Sequence, residues 1–531
     1  MRTIRTLSQP LVFLALTFAL GVAVWAIAPW GDFPLNDDWV YARNSAATAE
    51  AGSVSIPFGQ YAWSIPQLVL GAVFVELGLG SYVWLRWVGI LALLGSTYLV
   101  GRIFWSGLTQ SGIRIPLLIA FCFYCPLVQT SFSFMTDAPF LFLFLAAFAG
   151  CGLFLARRTG TSALVALGFV LLALSQRQFG IVISAALGVC LLFEAFKSPA
   201  PVVFPVVLMR AGLSFLIPAL AFVALTQFWK SLTQGASAPL DLTLSPVFVL
   251  SNAFEILGHL GLLAVPVLFL PFSQEAKRLL SQRWLQAVLV LFFVYGLGHH
   301  LRAERLFPFT DNVMSRYGFF GLNLVLLGER EVVLGTGLRG FLTLVSVAGA
   351  LRILVGFGAA WRQSKWGTLD RLVLVSSVFY FLICCFRKTY FDRYCIPLLP
   401  GALLCLLAAT VPAFSVRWGK WAAWVGVLAS ICFSVTLLED YFRWNEARWK
   451  AGQAALALGF KSSEVAGGYE FNGHYNGLTG LLGREGQKTP VILSFSHLPG
   501  TFLVKEFPYR SFLSTRLGPG TQSIKLLRAQ Y

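Results

Sequence analysis

The apolar run "IPQLVLGAVFVELGL" (residues 65–79) decides how this chain is threaded. At about 15 residues it falls short of the roughly 20 that a helix needs to cross a hydrocarbon core. Pro66, Gly71 and Gly78 interrupt it, and Gly80 follows. By length it reads as a re-entrant or interfacial segment and not as a span.

Working outward, about thirteen longer apolar runs have spanning length: 10–29, 84–104, 115–131, 137–156, 161–177, 179–196, 211–228, 247–271, 284–298, 338–358, 372–386, 395–415 and 421–438. Charge tests the choice made at 65–79. If that run does not span, Arg2, Arg5, Arg102, Arg114, Arg157, Arg158, Lys277, Arg278, Arg362, Lys365, Arg371 and Lys420 all fall on one side. Few acids accompany them. If it spans, this segregation is lost. The positive-inside rule therefore puts the N-terminus in the cytoplasm and the C-terminus outside.

Composition agrees with a membrane location. The 531 residues are 57% hydrophobic and only 12% charged, with a mean hydropathy of +0.74, where soluble domains carry about 25% charged residues. The net charge of +17 is spread between apolar runs, so it reports topology and not a nucleic-acid partner. No Gly-rich phosphate loop of the Walker type occurs, and the inner loops are short, which argues against ATP-driven transport by this chain alone. The nine cysteines lie in or beside apolar runs and read as packing residues, without a disulfide framework or a zinc site. The expected fold is an all-α polytopic membrane domain (1–440) with outer loops 30–83 and 299–337. A small α/β or mainly β outer domain (441–531) follows, with helix near 444–458 and strands such as "PVILSFS".

The polar candidates gather on the outer side. "FPLNDDWVYARN" (33–44) places Asp37 beside Asp38 just after the first apolar run. Either acid can cap the following helix, but one cap leaves the second acid unexplained, since adjacent carboxylates repel without a partner. "SFSFMTDAPF" puts Asp137 at the start of a span, again as a cap or as a site acid. In "FRKTYFDRYCIPLLP", Arg387, Lys388, Asp392 and Arg393 crowd a helix entrance. Outer cations run against the topology rule and ask for a local anion: a phosphate, which arginine suits, or an ion pair with Asp392. Arg177, and the i, i+4 pair Glu255 and His259, are intramembrane ionisable groups that read as a proton relay or as partners of one another. His299 and His300 have no recognisable acid partner at motif spacing. Trp39, Tyr41, Tyr61 and Trp63 suit either a membrane-interface belt or the face of a sugar ring.

Taken in order, these motifs resemble the GT-C superfamily of integral membrane glycosyltransferases, especially the branch of the protein O-mannosyltransferases and the lipid A aminoarabinose transferase. "NDDWVYA" is similar to that branch's acidic pair followed by an aromatic residue and Tyr-Ala. Residues 63–91 resemble its interfacial segment, with Pro66, Gly78 and then Arg86. "FMTDAPFLF" and "FDRYCIPLLP" resemble its later outer elements. Two departures stand out: Ile65 precedes Pro66 where some relatives carry a Lys that meets the donor phosphate, and the acidic pair is Asp-Asp instead of Asp-Glu.

The resemblance implies a bacterial inner-membrane enzyme that moves a sugar from a polyprenyl-phosphate donor to a lipid, glycan or protein acceptor on the outer face, with inversion. Asp37 would be the general base, and Asp38 and Asp137 would orient the acceptor or support that base. Arg393 and Arg387, with Arg86 in place of the missing Lys, would meet the phosphate. No metal or other cofactor is required, although a divalent cation between acids and phosphate is compatible with the pattern. The competing reading is a transporter or flippase of a lipid-linked or anionic substrate, in which the Glu255 and His259 pair would matter most.

Overall fold

The structure is a computed structural model that describes residues 17–530, except 19, 26, 61, 106–110, 198–202, 234–241, 322–325, 363–366, 389, 412–416, 483–488 and 517–519. Tyr61, Arg2, Arg5, Lys365 and the beginning of the first expected span lie outside the described residues. Among the described residues, nine helices are long and apolar enough to cross a membrane, from Tyr82–Ile103 to Trp418–Ala457. Two shorter apolar helices, Gly160–Gln176 and Gln178–Glu194, match the expected runs at 161–177 and 179–196.

The run at 115–131 corrects a sequence expectation. It is not one straight span but two helices, Ile113–Cys122 and Cys125–Ser131, bent by 49°. Tyr124 is extended and Pro126 enters the second helix at its first turn. A proline ring disfavours a helical residue before it and removes one amide donor, so a continuous helix is interrupted there.

The deciding run at 65–79 forms the helix Ile65–Glu76, with Pro66 in the first turn. At 1.5 Å per residue it reaches about 18 Å, well short of the roughly 30 Å core. It stops at Gly78, whose φ of 74° turns the chain back toward Tyr82. Its buried face is pinned by amides: the Gln67 side chain donates to the Phe134 carbonyl at 2.8 Å and accepts from Gln176 at 2.9 Å. Val69, Leu70 and Val73 face outward. An apolar helix too short to span, with one buried amide anchoring it and aliphatic side chains facing outward, suits an interfacial position.

Within the membrane part, close helix crossings use small residues. A side chain on Gly349 would strike the Gly261 carbonyl at 2.0 Å, so Thr336–Arg362 and Pro246–Gly261 meet backbone to backbone. Such contacts drive packing where lipid removes the hydrophobic incentive. Eight of the nine cysteines are buried and Cys432 is exposed; all are free.

The part beyond the spans, on the side that the charge pattern makes the outer one, is built on the last span. Arg417–Ala457 runs 41 residues without a break, so the boundary expected at 440/441 falls inside a helix and the expected outer helix near 444–458 is its upper end. Two hairpin strands, β1 (Met314–Ser315) and β2 (Gly318–Phe319), pair in the outer loop. A four-stranded sheet lies against the long helix: β3 (Val465–Ala466), β4 (Val491–Ser494), β6 (Gln522–Ala529) and β5 (Thr501–Tyr509), in that spatial order. Within this sheet β3 and β4 run parallel, while β4–β6 and β6–β5 are antiparallel. The strand expected at "PVILSFS" is β4. The helix Tyr469–Leu482 joins β3 to β4.

Candidate active site

The acidic turn is held from behind before its acids are placed. Arg86, 1% exposed, donates to the carbonyls of Pro29 at 2.8 Å and Gly31 at 2.6 Å, and also to that of Phe33. Its guanidinium lies over the rings of Phe33 and Phe442. Asp32 accepts from the Tyr82 amide at 2.8 Å and so ties the same loop to the start of the next span. Arg86, expected at a donor phosphate, is thus engaged with loop carbonyls. Its forked donors match a curved run of backbone oxygens as readily as an anion.

At the tip, Asn36 adopts φ 52°, a left-handed conformation that asparagine tolerates better than most residues. The reversal sends the two acids to different environments. Asp38 is completely buried, and its carboxylate accepts from the Leu35 amide at 3.3 Å. Burial pushes its carboxyl up to about 7, against the opposing pull of Arg86 and nearby amides. Asp37 stands at the N-cap position of Asp38–Ala51, yet its side chain makes no capping bond. The capping alternative for Asp37 is therefore not the one adopted. Its Oδ1 accepts from the Tyr469 hydroxyl at 2.8 Å, and its Oδ2 lies 3.4 Å from Arg393 Nη1. The Asp37 side chain is 24% exposed.

Around this pair the helix ends bring further charges. Asp137 opens Asp137–Arg157, and its carboxylate lies 3.0 Å from Arg177 Nη2 at the end of Gly160–Gln176. Neither Thr136 nor Asp137 makes a side-chain cap for that helix; the Thr136 hydroxyl instead accepts from Arg177. Asp137 and Asp37 are the carboxylates that act most strongly on Arg393, and Tyr41 feels Asp37, Arg177, Arg393 and Asp137 together. Arg387 stacks over Tyr394 at 4.9 Å and Phe179 at 5.9 Å, and forms no ion pair among the described residues. A partly exposed carboxylate, held on one oxygen by Tyr469 and paired on the other with Arg393, thus shares a helix-end cluster with the Asp137–Arg177 pair.

Other candidates sit elsewhere. Asp392 is buried and accepts from the amides of Val313, Met314 and Arg393 at 2.8–3.1 Å, clipping β1 to the helix entrance. It offers nothing to an anion, and the expected Asp392–Arg393 ion pair gives way to Arg393–Asp37. Trp63 packs on Phe222 at 5.4 Å within an apolar cluster with Ile56, Leu68 and Trp229, so it is no sugar platform. Trp39 is buried against Tyr469, and a side chain on Gly473 would meet its indole at 2.2 Å. Glu255 and His259 do not pair through their side chains. The His259 ring bonds the Glu255 backbone carbonyl at 2.8 Å, while the Glu255 carboxylate meets His300 at 3.5 Å and accepts from Thr310 and Ser251. That acid partner for His300 lies 45 residues away in sequence (255 to 300), so motif spacing did not show it. An open cleft lined by Arg316, Tyr317, Glu329, Glu331 and His497 includes none of the candidates. Among the described residues, no three His, Cys, Asp or Glu side chains converge as a metal site would require.

Sequence reasoning missed the outer unit's part in the site. Tyr469 comes from the helix Tyr469–Leu482, and its phenol is pushed well above the ordinary range by burial and by Asp37. Nothing in its local sequence marks it; only the fold brings it across 432 residues to Asp37.

No family model matches the chain, and no curated protein matches it in sequence. In structure it is similar to ArnT from Cupriavidus metallidurans, in the apo state and bound to undecaprenyl phosphate. Each superposes with a TM-score of 0.43 at 13% identity, over 88% of this chain and 84% of that one.

Proposed function

We propose that the chain is a GT-C-type membrane glycosyltransferase that takes a sugar from a polyprenyl-phosphate donor and passes it to an acceptor on the outer face. The observation that carries this reading is the Asp37 carboxylate: partly exposed, held on one edge by Tyr469 and set 3.4 Å from Arg393 on the other. A donor anchored in lipid needs a polar site at the ends of apolar helices, which is where Asp37, Asp137, Arg177 and Arg393 gather.

In the reaction, the donor phosphate takes Arg393, with Arg387 beside it, and frees the Asp37 edge. Asp37 accepts the proton of the acceptor hydroxyl, whose oxygen forms the new bond to the anomeric carbon. The carbon–oxygen bond to phosphate breaks, and its electron pair leaves on the phosphate under the arginine charges. A single displacement of this kind inverts the anomeric centre. Asp137 and Arg177 hold the cluster's charge balance, and no step requires a metal. The acceptor is a lipid, glycan or protein, and the enzyme works in a bacterial inner membrane with the outer unit beyond the cytoplasm.

The test is transfer in vesicles reconstituted with the full chain, using radiolabelled sugars on undecaprenyl phosphate, the lipid of the ArnT complex, and on shorter polyprenyl phosphates. Labelled glycoside should form on an added membrane-extract acceptor, and Asp37→Asn should abolish it. Movement of donor across the vesicle without a glycosidic product would replace this reading with transport.

A further inference from the structure

We infer that the outer unit completes the active site, with Tyr469 as a positioning residue that orients Asp37; this rests on the transferase reading for its catalytic meaning. The helix Tyr469–Leu482 does not merely lie near the acidic turn. Tyr469 donates to Asp37 Oδ1 at 2.8 Å, and its ring meets Trp39 edge-on at 6.2 Å. The next residue, Glu470, accepts from the Asn36 amide at 3.1 Å, and so takes hold of the residue whose left-handed backbone aims the acids. Glu470 is itself fixed by Arg448 of the long helix at 2.6 Å, with both side chains fully buried.

Two further contacts fasten the same face. Arg43 donates to the carbonyls of Gly473 and His474 at 3.3 and 3.2 Å, and the Tyr82 hydroxyl and His474 Nδ1 share a hydrogen bond of 2.9 Å. Gly473 lies so close to the Trp39 indole that no side chain fits between them. Residues 469–474 therefore grip the acidic turn at Asn36, Asp37, Trp39 and Arg43, four positions of one short stretch.

The chemical consequence falls on Asp37. A carboxylate with one edge held by a phenol cannot rotate freely, so its other edge is aimed toward Arg393 and the opening. The charged and titratable groups around Asp37 are Arg393 from the helix entrance, the Asp137–Arg177 pair beside it, Asp38 and Tyr41 from the helix that Asp37 precedes, and Tyr469 from the outer unit. Among the described residues, only Tyr469 donates a hydrogen bond to it at normal length.

The variant is Tyr469→Phe, which keeps the ring against Trp39 and removes only the hydroxyl. Two measurements on the full chain separate this inference from the transferase reading. The first is the pH dependence of carbodiimide labelling at Asp37, followed by peptide mass spectrometry, which needs no substrate. With the hydroxyl gone that carboxyl edge is free to react, so the variant should label faster than the native chain across the pH range. The second is the pH–rate profile of transfer from undecaprenyl-phosphate sugars. The variant should lose about tenfold or more in kcat, with little change in KM for the donor.

If labelling and profile are both unchanged, Tyr469 does not position Asp37 and the inference falls. If the native chain transfers no sugar but the faster labelling appears, the transferase reading fails while the coupling of outer unit to Asp37 stands. A fall in melting temperature with an unchanged labelling curve reduces Tyr469 to a packing role and also overturns the inference.

Discussion

Two sets of opposite charges lie within a few residues of each other and are built differently. At the mouth, Asp37 and Arg393 sit 3.4 Å apart with side chains 24% and 13% exposed. Behind it, Arg448 meets Glu470 at 2.6 Å and Arg330 meets Asp440 at 2.7 Å, all four 0–1% exposed. The rear pairs join the long helix to the outer loop and the outer unit. The mouth pair is longer, wetter and open to a third charge. Short buried pairs fix a geometry, and a looser half-exposed pair can exchange partners, which is what an anionic substrate arriving at an arginine requires.

This contrast can be broken by substitution. The largest effect is expected from Asp37→Asn: a loss of transfer of about a hundredfold or more with an unchanged melting curve, read by radiolabelled product and by thermal unfolding in detergent. Retained transfer would strip the mouth pair of its chemical role. Next comes Glu470→Ala, which leaves Arg448 buried without its partner. Such losses cost about 3–5 kcal/mol, so a large drop in melting temperature is expected, and an unshifted melt would show that the rear pair does not hold the outer unit.

A smaller effect concerns Asp38. Its carboxyl titrates near 7 in the fold, against 3.8 for the ordinary group. The folded protein therefore holds this proton more tightly than the unfolded chain does. That contribution is fully present below about pH 4 and is lost as pH rises through about 7. Between pH 5 and 8 the native melting temperature should fall by a few degrees more than that of Asp38→Asn; parallel curves would mean that Asp38 titrates normally. The smallest effect belongs to Trp63→Phe, which should change transfer less than about twofold, because its indole packs among apolar side chains away from the acids. A strong loss would return Trp63 to the acceptor site.

Much of the membrane part was legible because each span must satisfy its own backbone and therefore declares itself by length and hydropathy. The short helix at Ile65–Glu76 was legible for the same reason, through its deficit in length and its Pro and Gly. Asp37, Asp137, Arg387 and Arg393 could be gathered on one side from the charge pattern of the loops. Their partners could not. Whether Arg86 met a phosphate or a row of carbonyls, and whether Asp392 faced Arg393 or the amides of β1, depends on where two distant loops come to rest. Tyr469 was invisible because its meaning depends on a contact 432 residues away. The long helix was missed in part because its polar upper half reads as the start of a separate domain, although nothing in "LLEDYFRWNEARWK" breaks a helix.

That unbroken helix has a mechanical consequence. Forty-one residues make a rod of about 60 Å, roughly twice the hydrocarbon thickness. Its lower half is set by lipid and its upper half carries Arg448, hence Glu470, hence the grip on Asn36. A rod without a hinge transmits tilt. The last membrane span and the grip on Asn36 thus belong to one continuous helix, through Arg448 and Glu470.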